Sequence, residues 1–525
     1  MTARQSGSPF EAPTPETMEG AATETEKGYE AYKRHAEERK ALFQEAKRAR
    51  LMAEEAPESD KGRDGGASAS TRGAEAQREV KESDLNYVPG GWFDCPPCGE
   101  PIGLMIPSKT PMSAAYDKIP AEKRYTPKMI VEEQAALGRQ IGLVINLTSS
   151  KVYYNARQFE ELGVEVTSIQ CEGRGSAPTP EEVNAFCYTV NSYFAATENK
   201  KFVLVHCTHG FNRTGYMICH MLMRAPLWFK RYLKVTEVIE RFAKARSPGI
   251  YKPLYLNALF KYYHETKGDF TSPALPEWKN GDIEEGDEEG EEEGGVGGQK
   301  KKAKAGPMNH DDLLGEDITP QHKQEIQNLV RSFVLTEQQL GRVHHFPGSQ
   351  PVSFSRDNMG MLQERRYYVT WKADGTRYML LCMQDGVYLV SRSFDVRRLQ
   401  MRFPMWGVDK HKKRSFKFIP QQFTLLDGEM VVDEDAHSGE RRRRFYAYDL
   451  MSMGGQKMTR LPFKQVSFFP SPEGVPARVS RSAYLSRSGW SLPFLGTIPG
   501  TLREPPSGGR EPSKFSSRQV TRRTL

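Results

Sequence analysis

A chain of 525 residues is long enough for two or three domains, each with its own hydrophobic core. No apolar run approaches the roughly 18 residues that a membrane span needs, and the first residues lack the basic start and apolar core of a signal peptide. We therefore expect no membrane association and a cytosolic or nuclear location. The net charge of +7 is mild but combines blocks of opposite sign, and seven scattered cysteines are too sparse for a disulfide framework.

Residues 1–85 are rich in Ala, Glu, Lys, Arg and Ser and contain few large apolar side chains. Such a composition cannot offset the entropy of ordering, so this arm is predicted to be disordered. Within it, "YEAYKRHAEERKALFQEAKRARLMAEE" places opposite charges three and four residues apart, which predicts a charged helix, either solvated or induced by a partner.

Residues 86–272 alternate short apolar runs with amphipathic stretches. The runs "GLVINLT", "VEVTSIQC" and "KFVLVHC" predict buried strands. The stretches "TPEEVNAFCYTVNSYF", "TGYMICHMLMRA" and "VTEVIERFAKAR" have helical spacing. This alternation predicts an α/β domain with a mostly parallel sheet.

Residues 273–309 pass from an acidic block through glycines into a basic cluster, which is typical of a flexible linker. The cluster Lys300 to Lys304 is either a nuclear import signal or a solvated charged run.

Residues 310–463 are dominated by predicted strands. "RYYVTWKADGTRYMLLCMQDGVYLVSRSF" alternates apolar runs with turns, and "FTLLDGEMVVD" and "RRFYAYDLMSM" follow it. We expect an antiparallel meander in an α+β domain. Residues 464–525 lose this periodicity in favour of Pro, Ser, Gly and Arg, and are predicted to be disordered or unrelated to the domain before them.

The stretch "VHCTHGFNRTG" places Cys207 at the end of a predicted strand and Arg213 at the start of a predicted helix. A loop of this kind presents successive backbone N–H groups and a helix N-terminus to an anion. The same field favours a thiolate, so Cys207 is predicted to be a nucleophile, with Arg213 holding two phosphoryl oxygens. Thr214 is placed to donate to the sulfur, and His206 to fix the shape of the loop.

This loop resembles the signature of the cysteine phosphatases, and the resemblance covers some 180 residues. It implies catalytic roles for Cys207, Arg213 and Thr214, and phosphate binding by the loop residues His206, Thr208, His209, Gly210, Phe211 and Asn212.

Protein phosphatases of the cysteine phosphatase family normally use an upstream aspartate to protonate the leaving group. No aspartate occurs between Lys151 and His206, and Glu172 is a speculative substitute. A diphosphate leaving group needs no proton, so the missing acid favours a triphosphate end as substrate.

The stretch "WKADGTRY", followed downstream by "LLDGEM", resembles motifs of the covalent nucleotidyltransferases, which include capping guanylyltransferases and ATP-dependent ligases. The resemblance implies that Lys372 attacks the α-phosphate of GTP, and that neighbouring cations and desolvation lower its pKa. It also implies Mg²⁺ or Mn²⁺ for guanylyl transfer and no cofactor for the phosphatase step. The implied nucleotide-binding residues are Asp374, Gly375, Arg377, Arg392, Asp427, Gly428 and Glu429.

The two motifs in this order resemble the bifunctional metazoan-type mRNA-capping enzymes. This resemblance implies removal of the γ-phosphate from nascent RNA, followed by transfer of GMP to the diphosphate end. It also implies a nuclear location and, as partners, triphosphate-ended RNA, GTP and the phosphorylated C-terminal tail of RNA polymerase II.

The late motifs of the capping-enzyme family are not found after Asp449. We therefore expect a nucleotidyltransferase domain that lacks its C-terminal part and OB-fold, with impaired guanylyl transfer. Two alternatives stay open: a dual-specificity protein phosphatase fused to a degenerate ligase-like module, and a non-catalytic protein that recruits RNA or RNA polymerase II.

Two further motifs give weaker functional signals. "CPPC" at 95–98 has the spacing of a zinc site, but no second pair accompanies it, so the metal ligands are left unassigned. "RRRRF" at 441–445 either contacts RNA phosphates or forms a solvated hairpin.

Overall fold

The computed structural model describes residues 88–116, 119–149, 153–171, 175–229, 231–279, 309, 312–364, 367, 372–407, 417–434, 438–461, 484–486 and 489–491. The predicted arm, most of the predicted linker and most of the predicted tail lie outside these ranges. Within the described residues, no helix is both long and apolar enough to cross a membrane.

The first domain is built on a four-stranded parallel sheet. Its strands are β1 (Met105–Ser108), β2 (Ile141–Asn146), β3 (Glu165–Ser168) and β4 (Phe202–His206). They lie in the order β1–β4–β2–β3, and every adjacent pair is parallel. The prediction of a parallel sheet is therefore confirmed.

Helices cover both faces of this sheet. They are α1 (Pro127–Ala136), α2 (Arg157–Glu160), α3 (Pro180–Ala196), α4 (Asn212–Met223), α5 (Pro226–Phe229), α6 (Val235–Ala245) and α7 (Pro253–Tyr262), with 3₁₀ turns at Ala121–Lys123 and Glu277–Lys279. Helix α3 begins with a capping box, in which Thr179 and Glu182 each accept the other's backbone N–H. The three helices that the sequence predicted are thus present.

Successive residues of β4 pack into two different cores, as the alternation of a strand requires. Val203 and Val205 join the larger cluster with Phe242 of α6, whereas Leu204 joins a second cluster with Phe159 of α2. The buried strand places Cys207 at its carboxyl end, where ligands bind in open parallel sheets.

The second domain contains a six-stranded antiparallel sheet. Its helices are α8 (Pro320–Val334), α9 (Glu337–Leu340) and α10 (Met361–Glu364), and its sheet strands are β5 (Thr376–Met383), β6 (Gly386–Ser391), β7 (Val396–Leu399), β10 (Thr424–Glu434), β11 (Arg441–Met453) and β12 (Gln456–Lys457). The sheet order is β12–β11–β10–β5–β6–β7. Two separate hairpins pair β8 (Pro404–Gly407) with β9 (Lys417–Pro420), and β13 (Tyr484–Ser486) with β14 (Gly489–Ser491).

Helix α8 packs on one face of this sheet. Ile326, Val330 and Phe333 share a core with Leu381 of β5 and Leu425 of β10. The architecture is therefore an α/β domain followed by an α+β domain, as predicted. The expected continuous meander is wrong for β10, which pairs with β5 and not with a strand that directly precedes it in the chain. The sequence analysis expected the second domain to lack its C-terminal part and OB-fold. That expectation depends on residues after Leu461, most of which lie outside the described ranges.

Candidate active sites

The phosphate loop connects β4 to α4, and Cys207 lies at its base with 4 % of its surface exposed. The loop turns at Gly210, whose φ is +77°. A Cβ at this position would lie 2.2 Å from the carbonyl oxygen of Ser108, so only glycine fits. The loop therefore closes tightly over β1.

Among the seven cysteines, only Cys207 has a thiol pKa that is lowered from the ordinary value; the other six are raised. Burial opposes its ionisation, but the charge of Arg213 and hydrogen bonds from Thr214 and Gly210 outweigh that effect. The backbone N–H of Gly210 lies 3.3 Å from the sulfur. The buried hydroxyl of Thr214 makes no hydrogen bond of ordinary geometry among the described residues, but it is close enough to the sulfur to contribute to the lowered pKa of Cys207. The site thus favours a thiolate.

The guanidinium of Arg213 is held beside the loop by backbone and side-chain oxygens. Its Nη1 donates to the carbonyls of Leu147 at 3.1 Å and Cys171 at 3.4 Å, and its Nη2 lies 3.3 Å from Thr208 Oγ1. This arrangement fixes a planar cation next to the anion cradle, as bidentate phosphate recognition requires.

His206 acts on the shape of the loop. Its Nε2 lies 2.7 Å from the hydroxyl of Tyr154, and its Nδ1 lies 3.4 Å from the carbonyl of Cys207. Burial lowers the pKa of this imidazole to about 3, so the ring is neutral at physiological pH. A neutral ring with both nitrogens engaged cannot serve as a base for the thiol.

The remaining loop side chains turn away from the cradle. His209 donates from Nε2 to the carbonyl of Gly90 at 2.7 Å, and Phe211 is fully buried. Asn212 Oδ1 accepts the backbone N–H groups of Tyr251 and Lys252 at 3.1 and 3.0 Å. A bound phosphate would therefore meet the backbone N–H groups of these positions and not their side chains.

A supporting residue that the sequence did not reveal is Arg246, which is 3 % exposed. Its Nη2 donates to the carbonyls of His209 and Pro96, both at 2.8 Å, and its guanidinium lies 4.3 Å from the centre of the Phe211 ring. Arg246 follows α6 in "KARSPG", where no periodicity or motif marks it. Glu172, the speculative acid, lies outside the described residues.

The second site lies where the two central strands β5 and β10 of the antiparallel sheet pair, at the N-terminal end of β5. Pairing of β10 with β5 sets Glu429 opposite Arg377, and pairing of β5 with β6 sets Ser391, which precedes Arg392, opposite Tyr378. Lys372 and Asp374 directly precede β5. The β5–β10 pairing thus brings together predicted residues that are distant in sequence: Lys372, Asp374, Gly375 and Arg377 with Asp427, Gly428 and Glu429. Arg392 follows the end of β6, one residue after the partner of Tyr378.

Several residues of this site contact one another. Arg377 donates to both carboxylate oxygens of Asp427, at 2.6 and 3.0 Å, and Asp427 is 1 % exposed. The backbone N–H of Gly375 donates to Glu429 Oε1 at 3.0 Å. Arg392 is exposed in the turn after β6. Arg377 therefore faces the site from a fixed position.

The expected lowering of the Lys372 pKa is wrong for this structure. The ammonium group donates to Asp374, and this hydrogen bond raises the pKa of Lys372. The side chain is 44 % exposed, so little desolvation acts in the opposite direction. Lys372 must therefore exchange this partner before it can act as a nucleophile.

Carboxylates at this site are suitable ligands for a divalent cation that binds together with a nucleotide. Mg²⁺ is usually bound by one or two carboxylates together with substrate phosphates, without a complete protein cage. Asp374 and Glu429 supply hard oxygen ligands beside Lys372. Among the described residues no group of three or more His, Cys, Asp or Glu side chains forms a metal cage, and this includes Cys95 and Cys98.

The arginines of "RRRRF" pair with carboxylates. Arg441 pairs with Glu434, Arg442 with Glu440, Arg443 with Asp312 and Arg444 with Asp433. Arg441 and Arg442 are exposed, which fits a solvated hairpin, whereas the side chains of Arg443 and Arg444 are only 11 and 20 % exposed.

Comparisons with known proteins match both domains. Residues 308–469 match the family model of the mRNA capping enzyme catalytic domain, and residues 123–226 match a model described as a polymorphic toxin system DSP-PTPase phosphatase.

Individual relatives agree with these domain matches. The mRNA-capping enzyme of Danio rerio is 34 % identical over 401 residues, or 72 % of this chain and 63 % of that protein. The enzyme of Mus musculus is 32 % identical over 71 % of this chain and 62 % of its own. The RNA/RNP complex-1-interacting phosphatase of Homo sapiens is 28 % identical over 34 % of this chain and 54 % of its own. The chain thus spans less than two thirds of the capping enzymes that it matches.

Proposed function

We propose that this chain, which is similar to mRNA-capping enzymes, converts triphosphate-ended RNA to the capped form in two steps. The observation that carries the proposal is that one chain contains both sites: the loop that favours a Cys207 thiolate and the site around Lys372 at the start of β5.

In the first step the Cys207 thiolate attacks the γ-phosphorus of the RNA end. Arg213 and the backbone N–H groups of the loop hold the equatorial oxygens as the bond to the β-phosphate oxygen breaks. The diphosphate end leaves with its own negative charge, so no general acid is required. Water then hydrolyses the phosphocysteine and releases inorganic phosphate.

In the second step the unprotonated amine of Lys372 attacks the α-phosphorus of GTP, and pyrophosphate leaves. The diphosphate RNA end then attacks the lysyl-GMP and takes the GMP. In this proposal Arg377 and Arg392 bind the nucleotide, and Glu429 accepts the backbone N–H of Gly375. Mg²⁺ or Mn²⁺ would neutralise the triphosphate charge when bound.

Substrate preference tests the first step against the protein-phosphatase alternative. We expect phosphate release from triphosphate-ended RNA to exceed release from a phosphotyrosine peptide by at least about 100-fold in kcat/KM, which is a transition-state difference of about 2.7 kcal/mol. A preference for the peptide would favour the alternative.

A covalent adduct tests the second step. With α-labelled GTP and a divalent metal, the chain is expected to become labelled through an acid-labile lysine phosphoramidate. Lys372→Ala should abolish the label, while Lys200→Ala, which replaces an exposed lysine of the other domain, should retain it. Labelling that survives Lys372→Ala would refute the assignment of the nucleophile.

The phosphorylated tail of RNA polymerase II and a nuclear location belong to the same proposal. Binding of phosphorylated and unphosphorylated tail peptides to the full chain, compared by calorimetry, tests the first; imaging of the tagged chain tests the second.

A further inference from the structure

A buried polar cluster lies where the two domains meet. On the phosphatase side, Arg224 ends helix α4 and is 5 % exposed. Its Nη1 donates to Asn184 Oδ1 on α3, and its Nη2 donates to the hydroxyl of Tyr262 on α7, both at 2.7 Å. Three helices of the first domain therefore converge on one arginine.

The second domain inserts a carboxylate into this cluster. Glu316 Oε2 accepts from the Tyr262 hydroxyl at 2.9 Å and from Asn184 Nδ2 at 3.3 Å. On its other side it faces Arg398 Nη1 of β7 at 3.4 Å, and Arg398 is 3 % exposed. Glu316 is thus shared between the two domains.

The hydroxyl of Tyr262 uses its full hydrogen-bonding capacity in this arrangement. It donates to Glu316 and accepts from Arg224 at 2.7 Å and from Arg398 at 3.0 Å. A hydroxyl offers one donor and two acceptor positions, so separation of the domains would leave two of the three without these partners.

Local backbone geometry fixes Glu316 in place. Gly315 has a φ of +85°, and a Cβ there would lie 2.8 Å from the carbonyl oxygen of Arg398. The glycine lets the chain approach β7, where Glu316 and Arg398 exchange backbone hydrogen bonds of 2.7 and 2.9 Å. The carboxylate is therefore held by the second domain before it meets the first.

A second contact extends the interface along α3 and α8. The ring of Tyr188 stacks on His322 with centroids 4.8 Å apart, and its hydroxyl donates to Glu325 Oε1 at 2.7 Å. Asn184, one turn earlier on α3, also donates to the carbonyl of Asp317 at 2.7 Å.

We propose that the two domains form one docked unit and not two independent modules on a linker, held by Glu316, which contacts Asn184 and Tyr262 of the first domain and Arg398 of the second. Removal of one partner from a buried charge cluster leaves the others uncompensated, so the cluster favours this single arrangement. The occupant of the phosphatase surface is the segment 312–318 with α8 of the same chain.

In each domain, one helix or strand connects the proposed catalytic site to the docking surface, with the site at its N-terminal end and the docking surface at its C-terminal end. Helix α4 begins at the phosphate loop and ends at Arg224 after twelve residues, roughly 18 Å. Strand β5 begins beside Lys372 and leads to Asp385, whose carbonyl oxygen accepts from Arg398. Changes in the cluster should therefore separate the domains without touching a catalytic side chain.

Cleavage between the domains tests this inference independently of either activity. A protease site is inserted between residues 280 and 308, the folded full chain is cut, and the two fragments are analysed by gel filtration at low micromolar concentration. We expect the wild-type fragments to co-elute. Separate elution of the wild-type fragments would overturn the proposal without reference to any variant.

Variants then assign the association to the cluster. Glu316→Arg should separate the fragments, whereas Glu337→Arg, an exposed change on α9 of the same domain, should not. Tyr262→Phe, which removes only a hydroxyl, should raise the dissociation constant about tenfold. Circular dichroism of each fragment distinguishes separation from unfolding, and folded Glu316→Arg fragments that still co-elute would contradict the role of Glu316.

Discussion

Asp427 holds Arg377 through two hydrogen bonds of 2.6 and 3.0 Å. The two residues lie on the paired central strands β10 and β5, and Lys372 directly precedes β5. The Arg377 guanidinium also lies 5.2 Å from the centre of the Phe346 ring. Asp427 therefore positions the cation that is proposed to bind GTP.

Asp427→Ala should destabilise the second domain, because Asp427 is buried and its loss leaves the half-buried Arg377 guanidinium without its carboxylate. We expect the free energy of unfolding of this domain to fall by about 3 kcal/mol in denaturant titrations. Asp433→Ala, on the same strand but more exposed, should lower it by less than about 1 kcal/mol. Equal losses for the two variants would contradict the buried-pair argument.

The pH dependence of Cys207 alkylation should report the charge of Arg213. The wild-type midpoint is expected below the ordinary thiol value of 9.0, since the folded protein lowers this pKa. Arg213→Met removes the leading cause of that lowering, so burial dominates and the midpoint moves to higher pH.

Arg231→Met is the control for this titration, because Arg231 pairs with Glu237 on the surface. It should leave the alkylation midpoint unchanged. The other six cysteines have raised pKa values, so iodoacetamide labelling should be selective for Cys207. A midpoint that does not move in Arg213→Met would remove Arg213 as the activating charge.

Tyr154→Phe should loosen the phosphate loop by removing the partner of His206 Nε2. A buried hydrogen bond of this kind contributes about 1 kcal/mol, and the unpaired nitrogen adds a desolvation penalty. We expect a loss of about 1 to 3 kcal/mol in stability and a lower kcat for γ-phosphate release. Unchanged stability and unchanged kcat together would show that the contact has no positioning role.

Asp374→Asn should move guanylylation to lower pH. Asp374 raises the pKa of Lys372, so the amine loses its proton only at higher pH in the wild type. Without that carboxylate the pH at which adduct formation is half-maximal should decrease, even if the maximal rate falls. An unchanged or higher midpoint would exclude control by Asp374.

The location of both candidate sites was predictable because each contains residues that are close in sequence. Cys207 and Arg213 share one strand–loop–helix unit, and Lys372 to Arg377 precede and begin one strand. The register that sets Glu429 opposite Arg377 does not follow from an antiparallel meander, because β10 pairs with β5 and not with a strand that directly precedes it in the chain.

What the sequence could not supply were contacts between distant segments. Tyr154 meets His206 across 52 residues, and Arg224 shares Tyr262 with Arg398 across the two domains. Neither contact has a periodic or motif signature, because it depends on how packed elements come together. The raised pKa of Lys372 likewise depends on a rotamer that sequence spacing does not fix.

The most direct measurement of the central claim is γ-phosphate release from γ-labelled triphosphate-ended RNA by wild type, Cys207→Ser and Lys372→Ala. We expect Cys207→Ser to lose at least about 1,000-fold in rate, since a serine hydroxyl in this loop is not ionised near neutral pH. Lys372→Ala should release phosphate at the wild-type rate. Equal rates for wild type and Cys207→Ser would contradict the account.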